Sequence, residues 1–226
     1  DIFLSQKNRP EGMKYFDFVM SEVHGLRIQE LMEAKARGRI VVGSYCVFVP
    51  EELILAVDGV SVGLCAGAEF NFEGAEEVLP RNTCALIKSA FGFKLGKVCP
   101  YLEACDVVVG ENTCDGKKKA YEILGPLVTD LYVIDLHQTK SDMGRALLKE
   151  EYRRFAAKLE SVSGKKITPD SLKKGIEVVN AKRMAVKRLA AIRAADPAPI
   201  SGLDALLVNQ VFFYDDPVRF THSVNQ

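Results

Sequence analysis

Apolar positions along this chain alternate between short continuous runs and stretches with helical spacing. Residues 12–37 carry Phe16, Met20 and Val23 at intervals of four and three, which lines one face of a helix, and Gly38 stands where such a helix would stop. RIVVGSY, residues 39–45, is a β-branched run suited to a buried strand. Pro50 followed by Glu51 and Glu52 predicts a helix start, and residues 60–64 predict a second strand. An apolar segment over residues 85–93 predicts a helix that Asn82 or Thr83 can cap. DVVV, residues 106–109, is the clearest buried strand; it ends at Gly110, and the turn over residues 111–116 leads into a helical stretch over 117–124. LYVIDL, residues 131–136, is a further strand. From Ser141 onward the pattern predicts long helices, with Leu172, Ile176, Val179, Val186 and Leu189 recurring every three to four residues. Pro197 and Pro199 end that stretch, and residues 202–213 predict one more helix.

Strands separated by helical patterns point to βαβ units and a parallel sheet covered on both faces. The expected fold is therefore α/β, an open Rossmann-like or flavodoxin-like sheet over residues 1–137, followed by a helical segment over 138–226. With 226 residues and 48% hydrophobic content, the chain can bury a core without disulfide staples. It begins at Asp1, and its last residues, THSVNQ, carry no turn chemistry that closes a domain, so it reads as a piece of a longer protein.

Lys plus Arg equals Asp plus Glu at 30 each, which gives no electrostatic reason to expect nucleic acid or an anionic membrane as a partner. No apolar run reaches the roughly 20 residues that span a bilayer, and the N-terminus lacks a secretory layout; a cytoplasmic location is the default expectation. On the long helix Lys173, Lys174, Lys182, Arg183, Lys187 and Arg188 form either a solvated face or a docking face. The three histidines, His24, His137 and His222, are scattered. The chain has no G-x-x-x-x-G-K-[ST] phosphate loop and no G-x-G-x-x-G, so it is not expected to bind ATP by itself.

The cysteines change the picture. Cys46, Cys65, Cys84, Cys99, Cys105 and Cys114 all lie in the first half, and in a large, signal-free chain they are expected to be thiols rather than disulfides. In open parallel sheets, sites lie beyond the carboxyl ends of the strands. Cys46 and Cys65 follow predicted strands, Cys84 sits where a helix should start, Cys114 lies in the turn after DVVV, and Cys99 precedes Pro100 ahead of that strand. A thiol at a helix N-terminus meets the positive end of the macrodipole, which favours the metal-ligating thiolate. Taken singly, each cysteine reads more readily as a small core residue; five at one expected end of one sheet point the other way. No C-x2-C pair occurs, which argues against a zinc ribbon or a ferredoxin-type motif.

Residues 79–125, LPRNTCALIKSAFGFKLGKVCPYLEACDVVVGENTCDGKKKAYEILG, together with GSYCVFVPEELILAVDG (43–59) and VGLCAGAEF (62–70), closely resemble the 2-hydroxyacyl-CoA dehydratase and benzoyl-CoA reductase family. Within it they look most like the double-cubane cluster proteins. The resemblance implies an iron–sulfur reductase component with Cys84, Cys114, Cys46, Cys65 and Cys99 as candidate cluster ligands. The cluster would be a double cubane, or a single four-iron four-sulfur cluster in the dehydratase branch, where Cys84 and Cys114 match two ligands and a C-terminal domain supplies the third. Cys105 is expected to pack beside the DVVV strand. Glu52, with Glu51 beside it, falls where dehydratases place a carboxylate near substrate, although both are also natural first-turn residues. The implied partners are an ATP-hydrolysing activator with its own iron–sulfur cluster, a small-molecule or acyl-CoA substrate, and a second chain in a homodimer or heterodimer. Lys117, Lys118 and Lys119 oppose the dipole of the helix they begin; either something anionic lies nearby, the cluster or an electron-donating partner, or their long stems reach solvent.

Overall fold

A computed structural model describes residues 2–22, 25–64 and 67–226. Four parallel strands, Val41–Ser44 (β1), Val60–Gly63 (β2), Val107–Glu111 (β3) and Leu131–Ile134 (β4), form a sheet of order β2-β1-β3-β4. Val41 lies opposite Val60, Val42 opposite Val107 and Val108 opposite Leu131. The predicted open α/β sheet is thus present. Both of its faces are buried, which is why its strands read as continuous apolar runs rather than alternating ones.

One face carries Val41, Val62 and Val108, covered by Leu26–Ala36 (α2), Ala85–Leu95 (α5), Pro100–Ala104 (α6) and Asp115–Leu124 (α7) through Leu31, Phe91, Leu102 and Tyr121. The other face carries Val42, Val107, Val109 and Ile134. Ile54 of Glu51–Ala56 (α3) and Phe155 and Leu159 of Asp142–Ser163 (α8) close it. The helical segment after Ser141 therefore packs on the sheet. Pro169–Ile192 (α9) lies over α3 so closely that a Cβ at Gly175 would stand 2.5 Å from the Glu52 carbonyl oxygen. A third apolar cluster joins Met13 and Phe16 of Met13–Ser21 (α1) to Leu207 of Gly202–Val211 (α10) and Phe220 of Pro217–Asn225 (α11).

Several local expectations need correction. The helix expected over residues 12–37 is two helices, α1 and α2. Gly25, the poorest helix former after proline, takes a non-helical conformation between them, and the two helices bury their apolar faces in different clusters. Val23, part of the pattern that suggested one helix, lies outside the described residues. Neither Asn82 nor Thr83 caps α5; Cys84 is the N-cap residue, and Thr83 N–H bonds the Pro80 carbonyl in the preceding turn. The long helix α9 ends at Ile192, ahead of the prolines. The short helices Phe72–Glu76 (α4) and α6, and the closing helix α11, had no periodic signature that marked them. Among the described residues no helix is long and apolar enough to cross a membrane.

Candidate functional site

From β1 the chain moves one way to β2 and the other way to β3, so the sheet has its topological switch point between β1 and β3. Beyond the carboxyl ends of strands at such a point lies the crevice in which open α/β folds bind ligands. Cys46 follows β1 and is held at φ 72°, a left-handed conformation that residues with a side chain, Asn, Asp and His apart, seldom adopt and that tends to occur at functional loops. Cys84 is the N-cap residue of α5 and Cys114 that of α7; the Cys114 sulfur accepts the Lys117 backbone N–H at 3.4 Å. These three thiols, with Phe91, Lys117 and Tyr121, line one cavity of about 280 Å³.

The remaining cysteines sit elsewhere. Cys99 is the N-cap residue of α6 but packs against the core of the first face, where burial pushes its thiol pKa up. Cys105 is buried beside β1, donates to the Tyr101 carbonyl at 3.1 Å, and is pushed by burial up to about 12. It packs in the core, as expected. Cys65 lies outside the described residues.

Among the described residues no three His, Cys, Asp or Glu side chains converge as they would on a single metal ion. A polynuclear iron–sulfur cluster makes a different demand, because each thiolate binds a different iron and the sulfurs need not meet at one point. Three thiols spread around one apolar cavity, two of them at helix N-termini and solvent-exposed, fit that demand.

The string GENTCDGKKK, residues 110–119, builds this side of the site. A Cβ at Gly110 would collide with the Tyr121 ring. The Tyr121 hydroxyl accepts the Glu111 N–H at 3.0 Å and donates to the Glu111 carbonyl at 3.2 Å, so it bonds both backbone groups of the last residue of β3. Asn112 ties the loop to the segment just after β4 by accepting the Leu136 N–H at 2.8 Å and donating to Asp135. The Glu111 carboxylate, 0% exposed, accepts the Thr113 N–H at 2.8 Å and forms an ion pair with Lys117. The lysine triplet is therefore divided. Lys117 turns to the cavity, whereas Lys118 and Lys119 make surface pairs with Asp115 and Glu122.

Residues 46–226 match the family model for 2-hydroxyglutaryl-CoA dehydratase, D-component. The chain belongs to this family. It is 39% identical over 189 residues to the putative dehydratase subunit YjiM of Escherichia coli, covering 83% of this chain and 49% of that protein. It is 24% identical over 216 residues to the (R)-phenyllactyl-CoA dehydratase beta subunit of Clostridium sporogenes, covering 94% and 57%. It is also 24% identical over 174 residues to a subunit of the benzoyl-CoA reductase of Thauera aromatica, covering 75% and 44%. The chain spans about half the length of these curated relatives.

A second cavity of this D-component chain, about 230 Å³, shares Cys46 with the first and is lined by Ser44, Ser61, Glu51, Lys182 and Phe212 among others. Lys182 is only 3% exposed; its ammonium lies 3.0 and 3.1 Å from the two Glu51 oxygens and 4.0 Å from the Phe212 ring centroid. Glu52 bonds Arg183 at 2.5 Å and is not on the cavity wall. The basic helix is thus neither wholly solvated nor wholly a docking face, because two of its cations are anchored on α3. Sequence reasoning passed over Glu111, Tyr121 and the buried position of Lys182. A signal for the last was present: Val179, Lys182 and Val186 share the three-and-four spacing of the apolar stripe.

Proposed function

We propose that this chain is the cluster-binding lobe of an iron–sulfur reductase component in the D-component family, with Cys46, Cys84 and Cys114 as thiolate ligands. The single observation that carries the reading is the convergence of these three thiols on one cavity at the switch point of the sheet. Cys65 and Cys99 remain in the proposed ligand set on family resemblance alone. When bound, the cluster supplies low-potential one-electron chemistry for reduction of a small substrate. The chain's own residues do the rest. Helices α5 and α7 turn their N-terminal ends toward the thiols, which favours the anionic sulfurs, and Phe91, Ile87 and Leu124 give the cavity an apolar wall that limits water.

Cys46 in the cavity adds a thiol to the two that the dehydratase branch draws from this part of the chain, and with Cys65 and Cys99 the set would exceed the four thiolates of a single cubane, which supports a double cubane in the intact protein. Electrons come from an ATP-hydrolysing activator, in keeping with the lack of a phosphate loop in this sequence. The second reading, a dehydratase subunit that uses one four-iron four-sulfur cluster to remove water from a 2-hydroxyacyl-CoA, is favoured by the names of two relatives. Glu52 serves as a catalytic carboxylate in either reading only if Arg183 releases it. Glu51 lines the second cavity, which shares Cys46 with the first, but it too is held by a cation, Lys182.

The test is anaerobic reconstitution of the full-length protein, followed by iron and sulfide analysis and electron paramagnetic resonance. Twice the iron of a single cubane, with one bridging sulfide beyond twice its sulfide, supports the first reading, and the content of one cubane supports the second. Cys84→Ser and Cys114→Ser should strip or convert the cluster, and unchanged spectra in both variants would sink the ligand assignment. A protein that takes up no cluster at all would instead be a non-catalytic α/β interaction domain.

A further inference from the structure

The buried carboxylate of Glu111 and the ammonium of Lys117 form a charge pair that the ligand assignment does not use. Glu111 is fully enclosed at the end of β3, fixed through the Thr113 N–H on one oxygen and facing Lys117 with the other. Lys117 also donates to Thr113 Oγ1 at 3.2 Å, and its side chain is 16% exposed. Two hydrogen bonds and the ion pair thus hold both charges in place. The order is polar: Lys117 lines the thiol cavity, whereas Glu111 does not. The side chain that carries this cation is 16% exposed, so the charge acts through a low local dielectric, where charges interact far more strongly than in water, while a fully exposed lysine would be screened.

We propose that Lys117, with Glu111 as its positioning residue, sets the reduction potential of the cluster in the cavity lined by Cys46, Cys84 and Cys114. This rests on the reading that a cluster occupies that cavity. One-electron reduction adds one negative charge and breaks no bond, so a fixed cation beside the cluster favours the reduced state and a fixed anion opposes it. Cluster potentials follow net charge and the surrounding hydrogen bonds in this way. Lys117 lines the cavity and Glu111 does not, so the influence of the lysine on a group held there exceeds the opposing one.

The experiment is a dithionite-driven redox titration of the reconstituted full-length protein, monitored by electron paramagnetic resonance. Lys117→Met should lower the midpoint potential, Glu111→Gln should raise it, and Lys117→Arg should stay near the unsubstituted protein. The double variant Lys117→Met with Glu111→Gln removes both charges and leaves no unpaired ion in the interior; it should fold and still titrate below the unsubstituted protein. Purely structural roles would move the two single variants the same way or not at all. Either result, or a double variant with an unchanged potential, overturns the proposal while leaving the cluster assignment intact. An unsubstituted protein that takes up no cluster defeats the cluster assignment itself, and the proposal with it.

Discussion

Glu51→Ala tests how the second cavity is held together. In the native protein the Lys182 ammonium, on a residue 3% exposed, has both Glu51 oxygens within 3.1 Å and the face of Phe212 4.0 Å away. Removing the carboxylate leaves the cation with the aromatic face, a contact worth roughly 0.5–2 kcal/mol that is present in both proteins and so offsets nothing. Breaking a buried pair by removing one partner costs roughly 3–5 kcal/mol. Because the pair borders a cavity and Glu51 is partly exposed, the lower end applies, about 3 kcal/mol. For a chain of this size each kcal/mol moves Tm by about 2–4 °C, so the fall should be roughly 6–12 °C. Lys182→Met keeps the stem and deletes the charge; it leaves the Glu51 carboxylate without its partner, but that group borders a cavity and is partly exposed, so the cost should be about 1–3 kcal/mol. The double variant should be more stable than the sum of the two single costs predicts, with a coupling of roughly 0.5–3 kcal/mol. Urea unfolding followed by circular dichroism gives all three values. A Glu51→Ala cost under about 1 kcal/mol, or costs that simply add, would refute the claim that a desolvated ion pair joins α3 to α9.

Two further outcomes follow from the site. Gly110→Ala forces a methyl group into the Tyr121 ring and should cost about 1–3 kcal/mol, as overpacking does. Combining it with Tyr121→Leu should recover part of that loss in thermal unfolding, and no recovery would show that the clash is not the cause. Burial raises the Cys105 thiol from its ordinary value to about 12, so the folded state holds its proton where the unfolded chain releases it. The stability this contributes is whole below the unfolded thiol's pKa and is lost as pH rises toward about 12. Urea unfolding across that alkaline window should therefore show a shallower fall in Cys105→Ala than in the unsubstituted protein, and equal slopes would contradict it.

Local pattern was enough for the four strands, for α3, α5 and α7 between them, and for the turns that carry Cys46 and Cys114. Continuous β-branched runs such as VVGS and VVVG can be satisfied only where both faces of a strand are covered, and the thiols follow those runs at fixed distances. What it left open depended on contacts far apart in the chain. Whether Cys46, Cys84 and Cys114 share a cavity depends on the order β2-β1-β3-β4, which puts the loops after β1 and β3 side by side, and local pattern does not encode strand order. Cys99 sits at a helix start just as Cys84 does, yet α6 carries it into the core. Tertiary structure also decided the fate of the charges. Lys182 is 131 residues from Glu51 in sequence, and a lysine reads as solvated until a distant carboxylate and a ring desolvate it. Lys117 was legible as an oddity, a cation at a helix start. Only the enclosed Glu111 beneath it gives that oddity a physical reason: a buried carboxylate is tolerated because the cation is held against it, and the cation is held at the cavity because the carboxylate cannot leave.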